Sequence, residues 1–354
     1  MRRKGVLYDA GRVLWVNWRP VFDPAVVRRE LRIIRDDLHC TAVKICGRDL
    51  DRLTFAAEEA LALGLEVWFS PELWDRGPAA TLSHIAAAAE VAERLRRGRP
   101  EQVVFSVATE ATLFMRGIIP GRTFQRRLAN LRPELRAGRH VAPLREFLAH
   151  AARDARRVFG GPITYAALPF EPVDWDLFDI VGVDHYREAR NEAGYVDRLR
   201  PLLARGKPVV VTEFGMRTYE GADRDGNLGT GITDPATSLL HLVPLVGRLV
   251  RPRIKGRHVR DEALQARRIV EDLTILDAAG VDGAFVCTFV EPLSTHDPDP
   301  RYDLDMGALS LVKTYARGHG TTYPDLPWEP KQAFHAVAGC YGRTPPGREG
   351  HCAV

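Results

Sequence analysis

TAVKIC (41–46), a helix-like stretch over 50–63, LEVWFS (65–70), an alanine-rich stretch over 79–97 and VVFSVAT (103–109) decide the fold of this chain. Three short, β-branched, nearly continuous apolar runs are separated by two segments of helix length. Strands that read apolar on both faces belong to a parallel sheet covered by helices. The alternation continues in both directions. Upstream lie a run from Gly5 to Tyr8 and a helix that begins at Asp23-Pro24, a capping residue followed by proline at the first helical position. Downstream come a helix over about 141–158, ITYAAL (163–168), DIVGVD (179–184), a helix over 193–205 and PVVVTEF (208–214). A helix over 259–279, GAFVCTF (283–289) and a last helix over about 330–338 complete the series. Eight such strands predict an α/β fold of the (β/α)8 TIM-barrel type rather than an open sheet. The stretch 169–178, between the fifth and sixth strands, is too short for a full helix. No glycine-rich phosphate turn follows any strand, which argues against a nucleotide-binding sheet.

The 354 residues fit one barrel, because α/β barrels run from about 200 to over 400 residues as a single domain. We expect one domain over 1–341 and a disordered, Gly/Pro/Arg-rich tail over 342–354. A net charge of +4 from 50 basic and 46 acidic residues is mild. Arginines such as Arg28, Arg29, Arg32 and Arg35 read as a solvated helix face, not a nucleic-acid stripe. No run of about 18 apolar residues exists, so no membrane span is expected. The cysteines Cys40, Cys46, Cys287, Cys340 and Cys352 are odd in number and form no CxxC pair. Cys46 and Cys287 sit in apolar runs and read as small buried hydrophobes, which suits a reducing compartment. The opening MRRK is followed by no uninterrupted apolar segment, so no signal peptide is expected and the location expected is cytoplasmic.

Three segments, 111–140, 215–258 and 290–329, are longer than barrel loops need be, and all follow a strand. They therefore belong to the C-terminal face, where barrel enzymes carry their active sites. The strand ends on that face are polar: Asp9 after the first, Arg48 after the second, Glu72 after the third, and Thr109-Glu110 after the fourth. Asp184-His185-Tyr186 follows the sixth, Thr212-Glu213 ends the seventh, and Glu291 lies just past the eighth. Glu110 and Glu213 each end a strongly apolar strand. Glycoside cleavage requires such a pair: one carboxylic acid protonates the leaving oxygen and one carboxylate attacks the anomeric carbon. A separation of about 5–5.5 Å gives retention, and about 6.5–9.5 Å gives inversion. Polar strand-end residues also serve as loop-holding partners, and Asp9, Arg48, Glu72, Asp184 and His185 are open to that reading as well as to substrate contact. Trp74 offers either a stacking platform or a packing ring. The acidic loop HDPDPRYDLD (296–305) lacks the spacing and glycine of a calcium loop, and no HxH or HExxH occurs. No metal and no cofactor are expected.

Five segments resemble the clan A retaining glycoside hydrolases, the barrel group that includes cellulases, mannanases and β-galactosidases. KPVVVTEFG (207–215) is similar to that clan's nucleophile segment, and VVFSVATEATLF (103–114) to its acid/base segment, in the same order and about a hundred residues apart. TAVKIC is similar to the clan's N-x-V-R-I pattern, with Lys44 in place of the Arg that supports the nucleophile. Asp184-His185-Tyr186 resembles the region whose Tyr hydrogen-bonds the nucleophile, and WEPKQAFHAVAG (328–339) resembles the stretch around the last helix. The resemblance implies Glu213 as nucleophile, Glu110 as acid/base, and Lys44 and Tyr186 as supports of Glu213. Two positions depart from the pattern. Thr109 stands where the clan has an Asn that binds the sugar 2-hydroxyl. FVCTFVEP offers no eighth-strand Trp, so Phe289 or a loop aromatic has to provide the sugar platform. Both departures point away from an ordinary pyranoside. The function expected is a retaining glycosidase or transglycosylase acting on a small glycoside or glycosylated metabolite. The alternatives are a non-hydrolytic acid/base tailoring enzyme of natural-product biosynthesis, and a carbohydrate-binding pseudoenzyme. The last predicts loss of one carboxylate, and both are present. The sequence leaves the oligomeric state open.

Overall fold

The computed structural model describes residues 1–225, 231–241 and 249–343. Eight parallel strands close into a barrel in sequence order: β1 (Arg3–Gly11), β2 (Ala42–Gly47), β3 (Glu66–Pro71), β4 (Val103–Thr109), β5 (Ile163–Ala167), β6 (Val181–Asp184), β7 (Val209–Phe214) and β8 (Gly283–Val286). The α/β barrel read from the sequence is therefore the observed fold. Helices Pro24–Asp36, Leu50–Ala62, Pro78–Gly98, Val141–Arg156, Glu262–Ala279 and Gln332–Tyr341 form the outer layer. Their starts follow local chemistry. Asp23 accepts a hydrogen bond from the Ala25 amide ahead of Pro24, and Asp49 accepts from the Asp51 and Arg52 amides.

Several boundaries differ from the sequence reading. β1 runs three residues beyond Tyr8, and β8 stops three residues short of Phe289. The helix expected over 193–205 is only a 3-10 turn, Glu192–Gly194, and one turn of α-helix, Arg200–Leu203. Gly194 and Pro201 interrupt it. As the short 169–178 segment implied, β5 and β6 are joined by a single 3-10 turn, Trp175–Leu177. The 111–140 segment folds into Ala111–Phe114 and a longer helix, Phe124–Arg136. Of the tail expected to be disordered, residues 344–354 lie outside the described residues.

Side-chain alternation divides the core in two. On β2, Val43 and Ile45 face the helices and join the large cluster that includes Leu53 and Ala57. Ala42 points into the barrel, where it meets Trp68, Val104, Ile180, Val210 and Phe285 in a separate cluster at the N-terminal end. The Trp68 and Phe285 rings lie 5.0 Å apart and plug that end. Gly5 leaves them space, since a Cβ there would fall 2.3 Å from the Phe285 ring. Nearer the C-terminal end the interior turns polar, with Lys44 followed by Glu72, Thr109, Asp184 and Glu213. Cys46 and Cys287 are buried free thiols, as their apolar context implied.

Strict alternation would send Glu213 outward with Val209 and Val211. The ladders prevent this. Val183 pairs with Val211 but Asp184 pairs with Glu213, and on the other side Ala284 pairs with Val211 but Val286 with Phe214. One extra residue at Thr212–Glu213 shifts both registers. A bulge of this kind re-aims the side chain that follows it. β4 carries a matching irregularity between Ser106 and Thr109.

The barrel is tight where β5 and β6 meet. A Cβ on Gly182 would lie 2.6 Å from the Tyr165 carbonyl oxygen, a backbone atom that cannot rotate away. Gly182→Ala should cost about 1–3 kcal/mol of stability, the usual penalty for overpacking. Urea unfolding will measure it, and an unchanged midpoint would contradict the close approach.

Candidate active site

A cavity of about 630 Å³ opens at the C-terminal mouth of the barrel, a volume suited to one compact ligand. Its described lining includes Glu110, Thr109, Trp74, Asp184, Tyr186, Glu213 and Glu291 from the sequence-derived set. Both candidate catalytic carboxylates thus face one space.

Glu213 is 6% exposed. Lys44 Nζ donates to its Oε1 at 3.1 Å, the Tyr186 hydroxyl donates to its Oε2 at 3.1 Å, and Arg12 Nη1 stands 3.7 Å from Oε1. Burial pushes the carboxyl pKa up, but the Lys44 and Arg12 charges with the Lys44 and Tyr186 hydrogen bonds outweigh it. The carboxyl is held below the ordinary range and stays ionised. Lys44 and Tyr186 are thus both hydrogen-bonded to Glu213.

Glu110 has the opposite surroundings. Its backbone is in the left-handed region (φ 46°, ψ 48°), a conformation that costs a non-glycine residue about 1–3 kcal/mol. The turn is held from below. Glu171 accepts from the Thr112 amide at 2.9 Å, the Leu168 amide at 2.8 Å and the Tyr165 hydroxyl at 2.8 Å, and that hydroxyl accepts from the Ala111 amide at 2.8 Å. No cation pairs with Glu110 among the described residues. Burial, then the charges of Asp184, Glu213 and Glu171, push its pKa well above the ordinary carboxylate range, so it keeps its proton.

A third carboxyl lies between them. Asp184 is 1% exposed, and its Oδ1 accepts from the Thr212 hydroxyl at 2.5 Å. Its Oδ2 has no hydrogen-bond partner among the described residues. Burial and the neighbouring Glu213 charge, opposed by Lys44, raise its pKa to about 8. Glu72 is also buried. It accepts from the Thr109 hydroxyl at 3.1 Å and the Ser70 hydroxyl at 3.3 Å, and burial raises its pKa. The Thr109 hydroxyl is therefore committed to Glu72. Glu291 accepts from the Leu309 amide at 2.8 Å and the Ser294 hydroxyl at 3.1 Å, which ties together distant parts of the segment after β8.

Six members of the set do not line the described cavity: Lys44 and Glu72, whose contacts are given above, and Asp9, Arg48, His185 and Phe289. Asp9 holds Arg12 instead, accepting from its amide at 2.8 Å and its Nε at 2.9 Å. Arg48 has left the strand, and its exposed side chain precedes the Asp49 cap. His185, the residue after Asp184, faces the other way by alternation. It stacks on Tyr195 at 4.1 Å, and its Nε2 meets the Tyr195 carbonyl at 2.8 Å. Phe289 follows the early end of β8 and turns into the core against Tyr8, Trp328 and Phe334, so it offers no sugar platform. Arg12, Trp18, Phe114, Phe124 and Arg217 line the cavity and were missed from sequence. Reading β1 through to Gly11 would have made Arg12 a strand-end residue. Among the described residues no group of three or more His, Cys, Asp or Glu side chains is arranged to hold a metal, and no helix is long and apolar enough to cross a membrane.

The fold is a closed α/β barrel of the kind found in glycoside hydrolases. The chain is similar to a GH113 β-1,4-mannanase with a TM-score of 0.60 and 13% identity, covering 96% of this chain and 99% of the mannanase. It is likewise similar to the GH113 β-mannanase of Alicyclobacillus acidocaldarius, at a TM-score of 0.56 and 15% identity over 96% of each chain. The β-glucuronidase of Bacteroides uniformis matches at a TM-score of 0.56 and 13% identity, covering 96% of this chain and 35% of the larger enzyme. At these identities the likeness is one of fold. No family model matches the sequence, and no curated protein matches it.

Asp184 yields a test with a definite sign. Its folded pKa, about 8, lies above the ordinary 3.8. The stability tied to its bound proton is complete below about pH 4 and is lost as pH rises through about 8. Asp184→Asn has no proton to lose, so it should gain stability relative to the parent protein between pH 5 and pH 8.5. Melting temperatures of both proteins at these pH values measure the change, and a pH-independent difference would show that Asp184 is ionised throughout.

Proposed function

We propose that this protein is a retaining glycosidase or transglycosylase acting on a small glycoside or glycosylated metabolite. The observation that carries the reading is the contrast between two carboxyls facing one cavity. Glu213 is held ionised by Lys44, Arg12 and Tyr186, and Glu110 is held protonated with no cation beside it. Environments that push paired carboxyls apart assign the base and the acid.

In the first step Glu213 attacks the anomeric carbon as the glycosidic C–O bond breaks. Glu110 gives its proton to the departing oxygen, and a covalent glycosyl-enzyme forms. Glu110, now ionised, takes a proton from water or from an acceptor hydroxyl. That oxygen attacks the anomeric carbon and releases Glu213. The product keeps the starting configuration. Lys44 holds Glu213 in both states, and its charge compensates the carboxylate when it is released. A compact cavity and the expected cytoplasmic setting both suit a small substrate rather than an extended polysaccharide.

A second reading has one specific support. The Thr109 hydroxyl is occupied by Glu72, so the position that in the clan binds a sugar 2-hydroxyl is not free to do so. The same acid and base could then serve a non-hydrolytic step in tailoring a natural product.

A panel of activated 2-deoxy-2-fluoro glycosides separates the two. Intact mass should reveal a covalent adduct that Glu213→Gln abolishes. Glu110→Gln should lower turnover of glycosides with poor leaving groups by about 10²–10⁴-fold, the usual worth of a general acid. Azide should restore part of its rate on activated substrates by replacing water as the nucleophile. An adduct on another residue would overturn the nucleophile assignment, and absence of both adduct and turnover across the panel would favour the tailoring reading.

A further inference from the structure

The cavity lining changes in chemistry around the barrel mouth. Asp184, Tyr186, Asn191, Glu213, Arg217 and Glu291 end or follow β6, β7 and β8. Trp18, Trp74, Leu113, Phe114, Phe124 and Leu128 follow β1, β3 and β4, with Arg12 among them. This largely apolar side adjoins Glu110, which follows β4 directly. A group leaving with a proton from Glu110 departs on the Glu110 side of the scissile bond. We infer that the apolar side is a subsite for the aglycone, and that the substrate class is a glycoside whose aglycone is planar and apolar rather than a second sugar. The inference rests on the glycosidase reading above.

Ring geometry decides against a second sugar. Phe114 stacks on Trp74 with centroids 4.0 Å apart and planes at 13°, and on Phe124 at 5.4 Å and 14°. Arg12 covers the Trp18 ring at 4.8 Å and approaches Trp74 at 5.5 Å. Phe114 is thus stacked between two rings, Trp74 and Phe124 each give a face to it, and Arg12 lies over Trp18. A sugar's C–H groups, slightly positive, need the negative face of an aromatic ring, whereas ring edges are positive and suit the face of another aromatic group. Hydroxyls give the same answer. A second sugar would bring several into a wall whose six residues offer only two side-chain polar groups, the indole N–H donors of Trp18 and Trp74, and no side-chain acceptor. Buried hydroxyls without partners are costly.

The wall is also rigid. Arg127, fully buried on helix Phe124–Arg136, donates Nε to the Leu113 carbonyl at 2.9 Å, Nη2 to the Phe114 carbonyl at 3.4 Å and Nη1 to Asp75 at 2.8 Å. Asp75, the neighbour of Trp74, donates its amide to the Phe114 carbonyl at 2.8 Å and accepts from Arg116 at 2.7 Å. One buried guanidinium thus fixes the segments that carry three of the rings. The row extends outward to Trp15, which is 57% exposed and packs edge-on to Phe124 at 5.9 Å.

The test compares two glycosides of one sugar, the sugar that forms the adduct, with ethyl and naphthylethyl aglycones. Both leave as simple alkanols, so leaving-group ability is matched and only apolar surface differs. The naphthylethyl glycoside should show a kcat/KM at least about tenfold higher. Phe124→Ala should bring that ratio close to one, and Phe114→Leu, which keeps bulk but loses the ring, should lower it. Equal kcat/KM for the two substrates in the parent protein would overturn the subsite and leave the glycosidase reading intact. If no sugar of the panel forms an adduct, the glycosidase reading is the one that fails, and free naphthylethanol then tests the wall directly. Saturable quenching of the tryptophan fluorescence that Phe124→Ala removes supports the apolar site, and absence of quenching overturns it.

Discussion

A lysine with no exposed surface sits inside the barrel, and the polar mouth is organised around its charge. Lys44 Nζ reaches Glu213 at 3.1 Å with Arg12 close behind. A charge in such a place is tolerated only when it is paired, and removing one partner of a buried pair costs about 3–5 kcal/mol. Asp184, Glu72 and Glu110, which have no ion-pair partner among the described residues, all shift toward the protonated form, with burial the largest cause. Lys44 and Arg12, both directed at Glu213, set it apart from three acids that the sequence presents as equivalent.

That differentiation depends on backbone irregularity. Glu213 reaches the mouth because an extra residue interrupts both ladders of β7, and Glu110 reaches it through a left-handed turn held by Glu171. Each device works against a local preference and is secured by hydrogen bonds from a neighbouring strand. The loops above are secured by a second buried ionic group. Lys331 Nζ lies 2.9 Å from Asp305 and donates to Thr218 and Ser310, and Arg260 bonds Asp303 at 3.0 Å and Asp305 at 2.6 Å. This ties the segments after β7 and β8, which carry Arg217 and Glu291, to the start of the last helix. The PKQAF stretch whose resemblance was noted in the sequence thus has a physical task at its lysine.

Much of the barrel was legible because its signals are local. Uninterrupted apolar runs, Asp-Pro and Asp caps, and helix-length spacers give strands and helices without knowledge of the third dimension. The strand-end position of Glu110 and Glu213 was legible for the same reason. What failed was whatever depends on register. Alternation beyond a bulge or past a strand end cannot be counted from sequence, so His185 and Phe289 were placed at the mouth although they face the core. Arg12 was missed by the converse error, because β1 continues past the point where its apolar run ends at Tyr8. The aromatic wall was illegible for a different reason. Its rings come from the segments after three strands, and the buried Arg127, one arginine of the long 111–140 segment, joins two of these segments through Asp75 and the Leu113 carbonyl.

The departures from the clan pattern become related once their contacts are known. Thr109 does not stand in for the missing Asn, because its hydroxyl is taken by Glu72. Phe289 does not stand in for the missing Trp, because β8 ends early and the ring belongs to the core. Both losses fall on contacts that grip a sugar. The rings that are present, Trp18, Trp74, Phe114 and Phe124, line the same cavity as Glu110. On the proposed glycosidase reading, the balance of contacts moves from the sugar toward what the sugar is attached to, while the two carboxyls keep their opposed environments.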